Sequence, residues 1–435
     1  MILKKTIVLC LSLMPLAGAV AQKSTQLKNI QQKEVTRIVT TLAADDMMGR
    51  QTFTPGIEKA ADFISAEFKS IGLQPLAGDT DYKQEFKMYA LKPSKTDVTL
   101  NKQSLNPDEF FYSTVHRKFE WEEKAPKPVF IGENDDFRQG INTARKLDKD
   151  VLVMVHPKHQ EMFKRYANSF RQTRPVAELG KGNTLIFVLS PLTEVTSFNI
   201  EIKNDVEEMP LANVAGMIPG KRADEYVVFS GHYDHIGTMK AVAGDSIANG
   251  ADDDASGTTA VITLARHFQK QGKPERTLIF VAFTAEEIGG FGSQHFSKQL
   301  NPDEIVAMFN IEMIGKGSKF GPNSAYITGF EKSDFGTLLQ QAVKGTPYSF
   351  HPDPYPGQNL FYRSDNATLA RLGVPAHTIS SVQIDQDKLY HSVNDEVESL
   401  DMAHMTNMIK AIAMGAKDFV QGKKTPKRVD KTQVQ

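Results

Sequence analysis

Hydrophobic and polar positions change rhythm twice along this chain. Between residues 30 and 44, and again between 56 and 71, apolar residues recur at spacings of three and four, which predicts two amphipathic helices. In the second, Ile57, Ala60, Ala61, Ile64 and Phe68 share a face, and Gly72 follows as a stop signal. From about 85 to 205 the texture becomes rich in Lys, Glu, Phe and Pro, with short apolar runs such as Val151–Val155 and Leu185–Leu189. That pattern predicts a smaller, strand-rich insert with its own core. From about 210 the chain alternates. Tyr226–Ser230, Leu278–Phe283, Val306–Ile311 and Pro375–Ile379 predict strands, while Val261, Leu264, Ala265 and Phe268 mark one face of a helix begun near Ser256. Near-continuous apolar strands between helices predict an α/β fold, a mixed and largely parallel sheet with helices on both faces.

With 435 residues the chain is too long for one ordinary core, and two compact units are expected. The predicted order is residues 1–21 as an export signal and 22–84 as the first part of the main domain. The insert follows at 85–205, the rest of the main domain at 206–422, and a solvated, disordered basic tail at 423–435. The tail assignment rests on Lys423, Lys424, Lys427 and Arg428. A formal net charge of −1 argues against nucleic acid as the main partner. Nothing in the sequence calls for a membrane ligand, and the oligomeric state is not legible in it.

The first residues read as an export signal. Lys4 and Lys5 precede the apolar run Ile7–Leu16, and Ala17–Ala21 supplies small residues for cleavage after Ala21. The run is too short to span a bilayer. A periplasmic or secreted location is therefore expected. Cys10, the only cysteine, falls within this segment. The mature chain would then have neither disulfide nor thiolate, and any metal must be held by His, Asp and Glu.

Such residues gather where the predicted strands end. His232 and Asp234 lie in Gly231-His-Tyr-Asp-His235, and Asp253 lies in Gly250-Ala-Asp-Asp-Asp-Ala-Ser-Gly257. Glu286 and Glu287 follow the strand at 278–283, Glu312 follows Ile311, and Tyr390 and His391 open Tyr390-His-Ser-Val-Asn-Asp395. Open α/β sheets place their sites at the carboxyl ends of strands. Alone, each position reads as a loop residue or a helix cap. Together they form a cluster whose mutual repulsion demands cations, and nitrogen and carboxylate donors without sulfur suit Zn²⁺, with Mn²⁺ or Co²⁺ as alternatives.

Four segments, Gly231-His-Tyr-Asp-His, Gly250-Ala-Asp-Asp-Asp-Ala-Ser-Gly, Thr284-Ala-Glu-Glu and Tyr390-His-Ser, resemble the co-catalytic zinc aminopeptidases of peptidase family M28. The leading stretch Leu42-Ala-Ala-Asp-Asp-Met-Met-Gly-Arg50, with Pro55-Gly and the helix to Gly72-Leu73, resembles that family too. The resemblance covers roughly residues 30–80 and 210–420. It implies a zinc-peptidase-like fold with two divalent ions bridged by Asp253. His232 and Glu312 would complete one ion's ligands, Glu287 and His391 the other's. Glu286 would be the general base, and the Asp234 carboxylate would orient the His232 ring. Tyr390 is the candidate donor to the oxyanion.

Two departures stand out. Glu312 occupies a position that is often Asp in the family, and Ser364-Asp365-Asn366 stands where Ser-Asp-His is frequent. The insert sits where some relatives carry a protease-associated domain, which would make it a lid or a specificity module. The expected activity is removal of N-terminal residues from peptides. Open alternatives are a carboxypeptidase or a single-zinc glutaminyl cyclase on the same fold, or a non-catalytic peptide-binding homologue.

Overall fold

The computed structural model describes residues 27–124, 126–171 and 175–434. The export signal, with Lys4, Lys5 and Cys10, lies outside the described residues. The chain divides into one unit made of the described residues up to Glu85 together with Ala212–Gln435, and a second spanning Phe86–Leu211.

The first unit is built on β1 (Ser197–Ile218, through its C-terminal part), β2 (Arg222–His232), β3 (Arg276–Phe283), β4 (Ile305–Ile311), β5 (Ser324–Ile327), β6 (Ser349–Pro352) and β7 (Ala376–Ser380). Their order across the sheet is β6-β5-β7-β4-β2-β3-β1. Pairs β2–β3, β2–β4, β4–β7 and β5–β6 are parallel, and β1–β3 and β5–β7 are antiparallel. The mixed, largely parallel sheet is thus present; three of the four predicted strands lie within longer observed ones, and Pro375–Ile379 is shifted by one residue from the observed Ala376–Ser380. The edge strands β5 and β6 have no counterpart among the expectations. They are four residues each, too short to carry a periodic signal.

The middles of the central strands are near-continuously apolar because both their faces are covered. Val227, Phe229, Leu278, Phe280 and Phe309 point to one side. There they meet α1 (Gln32–Leu42), α2 (Pro55–Ile71), α3 (Gly257–Gln269), α5 (Phe335–Val343) and α7 (Met402–Val420). Val228, Ile279, Val281, Phe283 and Met308 point to the other, against α4 (Phe291–Ser297) and α6 (Asn366–Ala370). Phe229 sits in register between Phe280 and Phe309, with ring centroids 5.2 and 5.0 Å away. These aromatic pairs fix the alignment of β2, β3 and β4.

Helix α2 buries Ile57, Ala60, Ala61, Ile64 and Phe68, the predicted face, and stops at Gly72 with φ 83°. Helix α3 departs from its amphipathic reading. Its residues from Gly257 to Ala265 are all buried, because it is wedged between the sheet and α1, α2 and α7.

The second unit has a four-stranded sheet ordered Phe110–Ser113, Leu185–Leu189, Val151–Val155, Val129–Ile131. Only its outermost pair, 110–113 with 185–189, is antiparallel. Helices Phe137–Arg145 and Gln160–Arg171 accompany it, and two apolar clusters of its own hold it together. Its nine- and twelve-residue helices were not foreseen beside the strands.

The C-terminal stretch corrects the sequence reading. Residues 423–434 stay largely exposed, as expected, but they are tied to the first unit rather than disordered. Val429 is buried and donates its N–H to the Gly373 carbonyl, while Arg428 Nη1 reaches the Ile305 carbonyl at 2.8 Å. Lys427 N–H is held by Asp334 Oδ1, and Arg276 grips the Lys424 carbonyl at 2.6 Å. Among the tail's basic residues Arg428 acts through its side chain as a backbone clamp, a use that composition does not reveal.

Candidate metal centre

The first unit places its candidate donors at the carboxyl edge of β2, β3, β4 and the loop after β7. In parallel register His232 is the last residue of β2, opposite Phe283 at the end of β3. Thr284 and Ala285 then lead into Glu286 and Glu287. The irregular turn Ala251–Ser256 brings Asp253 in from the start of α3. Two of its glycines are required by close approach: a Cβ on Gly250, where φ is +55°, would lie 2.2 Å from the Asp253 carbonyl oxygen, and one on Gly257 2.1 Å from that of Ile311.

The three consecutive aspartates have different jobs. Asp254 Oδ2 accepts the His232 N–H at 3.0 Å, and Oδ1 accepts those of Gly257 and Met313 at 3.0 and 3.1 Å. Asp252 Oδ1 accepts the Gly315 N–H at 2.7 Å. Both outer carboxylates are thus used to lace the turn to β2 and to the segment after β4. Asp253 alone is left to face the histidines.

Two groups of donors share that residue: His232, Asp253 and Glu312 in one, His235, Asp253 and Glu287 in the other. His232 Nε2 lies 3.2 Å from Asp253 Oδ1. His391 Nε2 lies 3.2 Å from Asp253 Oδ2 and 3.1 Å from Glu287 Oε2. Nε2 of all three histidines is buried, yet its geometry gives no hydrogen bond. Donors about 2.0–2.1 Å from a tetrahedral zinc sit roughly 3.3 Å apart, so these spacings and misaligned nitrogens fit a shared cation better than a hydrogen-bond network. The residues present therefore fit a pair of divalent ions. His391 adopts φ 53°, in the left-handed region, so its turn must be held by its surroundings.

His235 was not among the predicted ligands. Its Nδ1 is 2.9 Å from Glu287 Oε1 and 3.8 Å from Asp253 Oδ2, and its side chain is fully buried. The available signal was a second histidine three residues after His232, with an aspartate between them. Arg50 is a second residue missed. Its guanidinium is fully buried and donates to the carbonyls of Tyr233, Leu42, Asn249 and Gly250 at 2.6–2.9 Å. It thereby joins α1 to the segment just after His232 and to the one ahead of Asp253.

Asp234 differs from its expected role. Its carboxylate is 3.9 Å from His232 Nδ1, and the nearer partner of that nitrogen is the Asp234 carbonyl at 3.1 Å. The carboxylate instead accepts the backbone N–H groups of Glu286 and Glu287. Tyr390 stacks on the His391 ring, with centroids 3.9 Å apart. It also lines a small cavity with Glu312, Met313, Leu360, Arg363 and Val382. Ser364, next to that site, hydrogen-bonds Glu312 and accepts from Asn310 Nδ2 at 2.7 Å. Asn366 plays a packing role, bonded to the Phe361 carbonyl and to Thr378.

Burial dominates the electrostatics of the site. It pushes Glu312 up to about 7 and Glu286 well above the usual carboxylate range, with Glu312, Asp365 and Glu287 adding repulsion at Glu286. Asp253 is buried too, but His232 and His391 beside it hold it well below that range. Asp253 and Glu287 raise His391 to about 10. The opposed shifts of Glu286 and Asp253 separate a group suited to carrying a proton from one suited to remaining an anion.

Known proteins resemble this chain in sequence and in fold. The model of peptidase family M28 matches residues 213–416. Leucine aminopeptidase 1 of Ajellomyces capsulatus is 33% identical over 215 residues, covering 46% of this chain and 53% of that protein. Leucine aminopeptidase 1 of Leptosphaeria maculans is 28% identical over 365 residues, covering 80% and 87%. The chain spans about half the length of the Ajellomyces relative. Among solved structures, an aminopeptidase from Aneurinibacillus sp. strain AM-1 aligns with TM-score 0.53 and 16% identity, over 95% of this chain and 98% of that one. A zinc aminopeptidase from Bacillus subtilis aligns at 0.54 and 14% identity, over 91% and 97%. The two structures share the mixed α/β fold. Residues 213–416 of this chain thus match peptidase family M28.

Proposed function

We propose that this chain is an exported metallo-aminopeptidase that hydrolyses N-terminal peptide bonds. The observation that carries the reading is the pair of donor sets sharing Asp253 beside Glu286, a carboxylate buried at the same edge. His232, Asp253 and Glu312 would hold one divalent ion, and Asp253, Glu287 and His391, with His235 alongside, the other. Divalent ions bound there, most simply Zn²⁺, would lower the pKa of a water and polarise the scissile carbonyl.

Glu286 takes the proton from the attacking water and delivers one to the leaving amine. Its raised pKa suits both halves of that exchange. Asp234 fixes the backbone of Glu286 and Glu287, so the proton carrier and its neighbouring ligand keep their separate directions. Ser364 orients Glu312. Tyr390 offers its hydroxyl to the developing oxyanion while its ring steadies His391. The relatives' names support a peptide substrate with a free amino end. Export is supported by the sequence of residues 1–21. The Phe86–Leu211 unit is read as a lid or specificity module.

The direct test compares a peptide having a free N-terminus with its acetylated twin, before and after dialysis against a chelator. Release of the first residue from the free peptide only, lost on chelation and restored by Zn²⁺, supports the reading. Equal cleavage of both peptides contradicts it.

A further inference from the structure

Lys316 follows Glu312 by four residues and has no place in the chemistry above. Its side chain is only 15% exposed, and its ammonium faces three carboxylates: Asp387 Oδ2 at 2.8 Å, Asp395 Oδ1 at 3.1 Å and Asp252 Oδ2 at 3.7 Å. Those acids belong to two different ligand-bearing turns. Asp252 precedes Asp253. Asp387 and Asp395 bracket the turn that carries His391.

The second oxygen of Asp395 continues the connection. Oδ2 accepts the backbone N–H groups of Asp252 and Asp253, each at 3.0 Å, and the Asp395 carbonyl accepts the N–H of Ala251 at 2.9 Å. At the other end, Asp387 Oδ1 accepts the Leu389 N–H at 2.8 Å, just ahead of Tyr390 and His391. Without a cation between them, Asp252, Asp387 and Asp395 would repel one another and drive the two turns apart.

We propose that Lys316 is a positioning residue that sets the second cation site, by fixing the turn carrying His391 against the turn carrying Asp253. The inference rests on the two-ion reading above. It predicts an asymmetry. His232 and Glu312 sit at the ends of β2 and β4 and keep their places without Lys316, whereas His391, on a turn with φ 53°, does not. His232 and Glu312 are then held by the sheet, whereas the position of His391 depends on the Lys316 ammonium.

The experiment titrates metal-free protein with Zn²⁺ against a chromophoric chelator, reading the number of ions and each affinity. Lys316→Met removes the cation. Asp387→Asn releases only one end of the turn and leaves the Lys316–Asp395 pair intact, so it serves should the first variant fold poorly. Lys316→Arg tests rescue by charge. The unfolding midpoint of each metal-free protein is measured in parallel.

Wild type is expected to take up two ions. Lys316→Met and Asp387→Asn should keep one ion at wild-type affinity and bind the second about 10–100-fold more weakly, with Lys316→Arg falling between. Unchanged affinity for the second ion in both variants would overturn the proposal. So would equal weakening at both sites in step with a lower unfolding midpoint, since that is the signature of a general structural role. Uptake of fewer than two ions by the wild type would overturn the underlying site reading instead.

Discussion

The Asp234 carboxylate accepts the backbone N–H of Glu286 at 3.1 Å, and its other oxygen accepts that of Glu287 at 3.3 Å. One fully buried side chain thus fixes the backbone of two neighbouring glutamates that would otherwise share a flexible strand exit. Burial raises Asp234 to about 6, and the two backbone N–H groups offset part of that cost by favouring the charged carboxylate. Asp234→Ala strands both donors, each costing about 1–3 kcal/mol when buried unpaired. Urea unfolding of the metal-free protein should show a loss of about 2–5 kcal/mol. A loss below about 1 kcal/mol would mean that water replaces the carboxylate.

Glu286→Gln separates proton transfer from metal binding. The amide keeps the size of the side chain but cannot accept a proton. Turnover should fall by about 10²–10⁴-fold with metal content unchanged. Metal analysis alongside the rate measurement decides the matter, and loss of an ion in this variant would make Glu286 a ligand.

Arg50 is expected to matter through packing. Its four bonds all run to carbonyls, those of Leu42, Tyr233, Asn249 and Gly250. Arg50→Met leaves these acceptors without donors and should cost about 3–5 kcal/mol in chemical denaturation. Lysine restores the charge without the planar fork and should recover only part of that loss. Equal stability of the Lys variant and wild type would show that charge alone suffices.

Acid sensitivity is predicted from His377 on β7. Its Nδ1 pairs with the Thr328 carbonyl at 2.9 Å and its Nε2 with Ser333 Oγ at 2.7 Å, which is the neutral ring. Burial lowers its pKa from 6.5 to about 4. Between those values the unfolded chain binds the extra proton and the folded one does not, so stability falls as pH drops from 6.5 toward 4. At about 1.4 kcal/mol per unit the contribution is roughly 3 kcal/mol. His377→Gln should show a correspondingly shallower loss of stability across that window. An unchanged slope would assign the acid sensitivity to other groups.

The sequence is most readable where one physical rule acts alone. Strands β2, β3, β4 and β7 announce themselves because a strand covered on both faces must be continuously apolar. The donors His232, Asp253, Glu287, Glu312 and His391 are legible because short motifs hold them at strand ends, and the structure brings all five together. His235 lies inside a motif already noticed, yet its approach to Glu287 depends on how β2 and β3 end relative to each other. Arg50 and Lys316 carry no local signal, since three of Arg50's four partners are 183 to 200 residues away in sequence and those of Lys316 are 64 to 79 away. The tail's disorder was misread for a similar reason: a Lys- and Arg-rich end is solvated, but its order shows only once Arg428 and Lys427 are seen bonded to β4 and to the start of α5.

The central claim is a metal-dependent exopeptidase acting from the amino end, and digestion of a peptide library read by mass spectrometry tests it most directly. The account predicts ladders that lose residues one at a time from the N-terminus, absent in chelator and restored by added Zn²⁺. Internal cuts, trimming from the C-terminus, or the same ladders in the presence of chelator would contradict it.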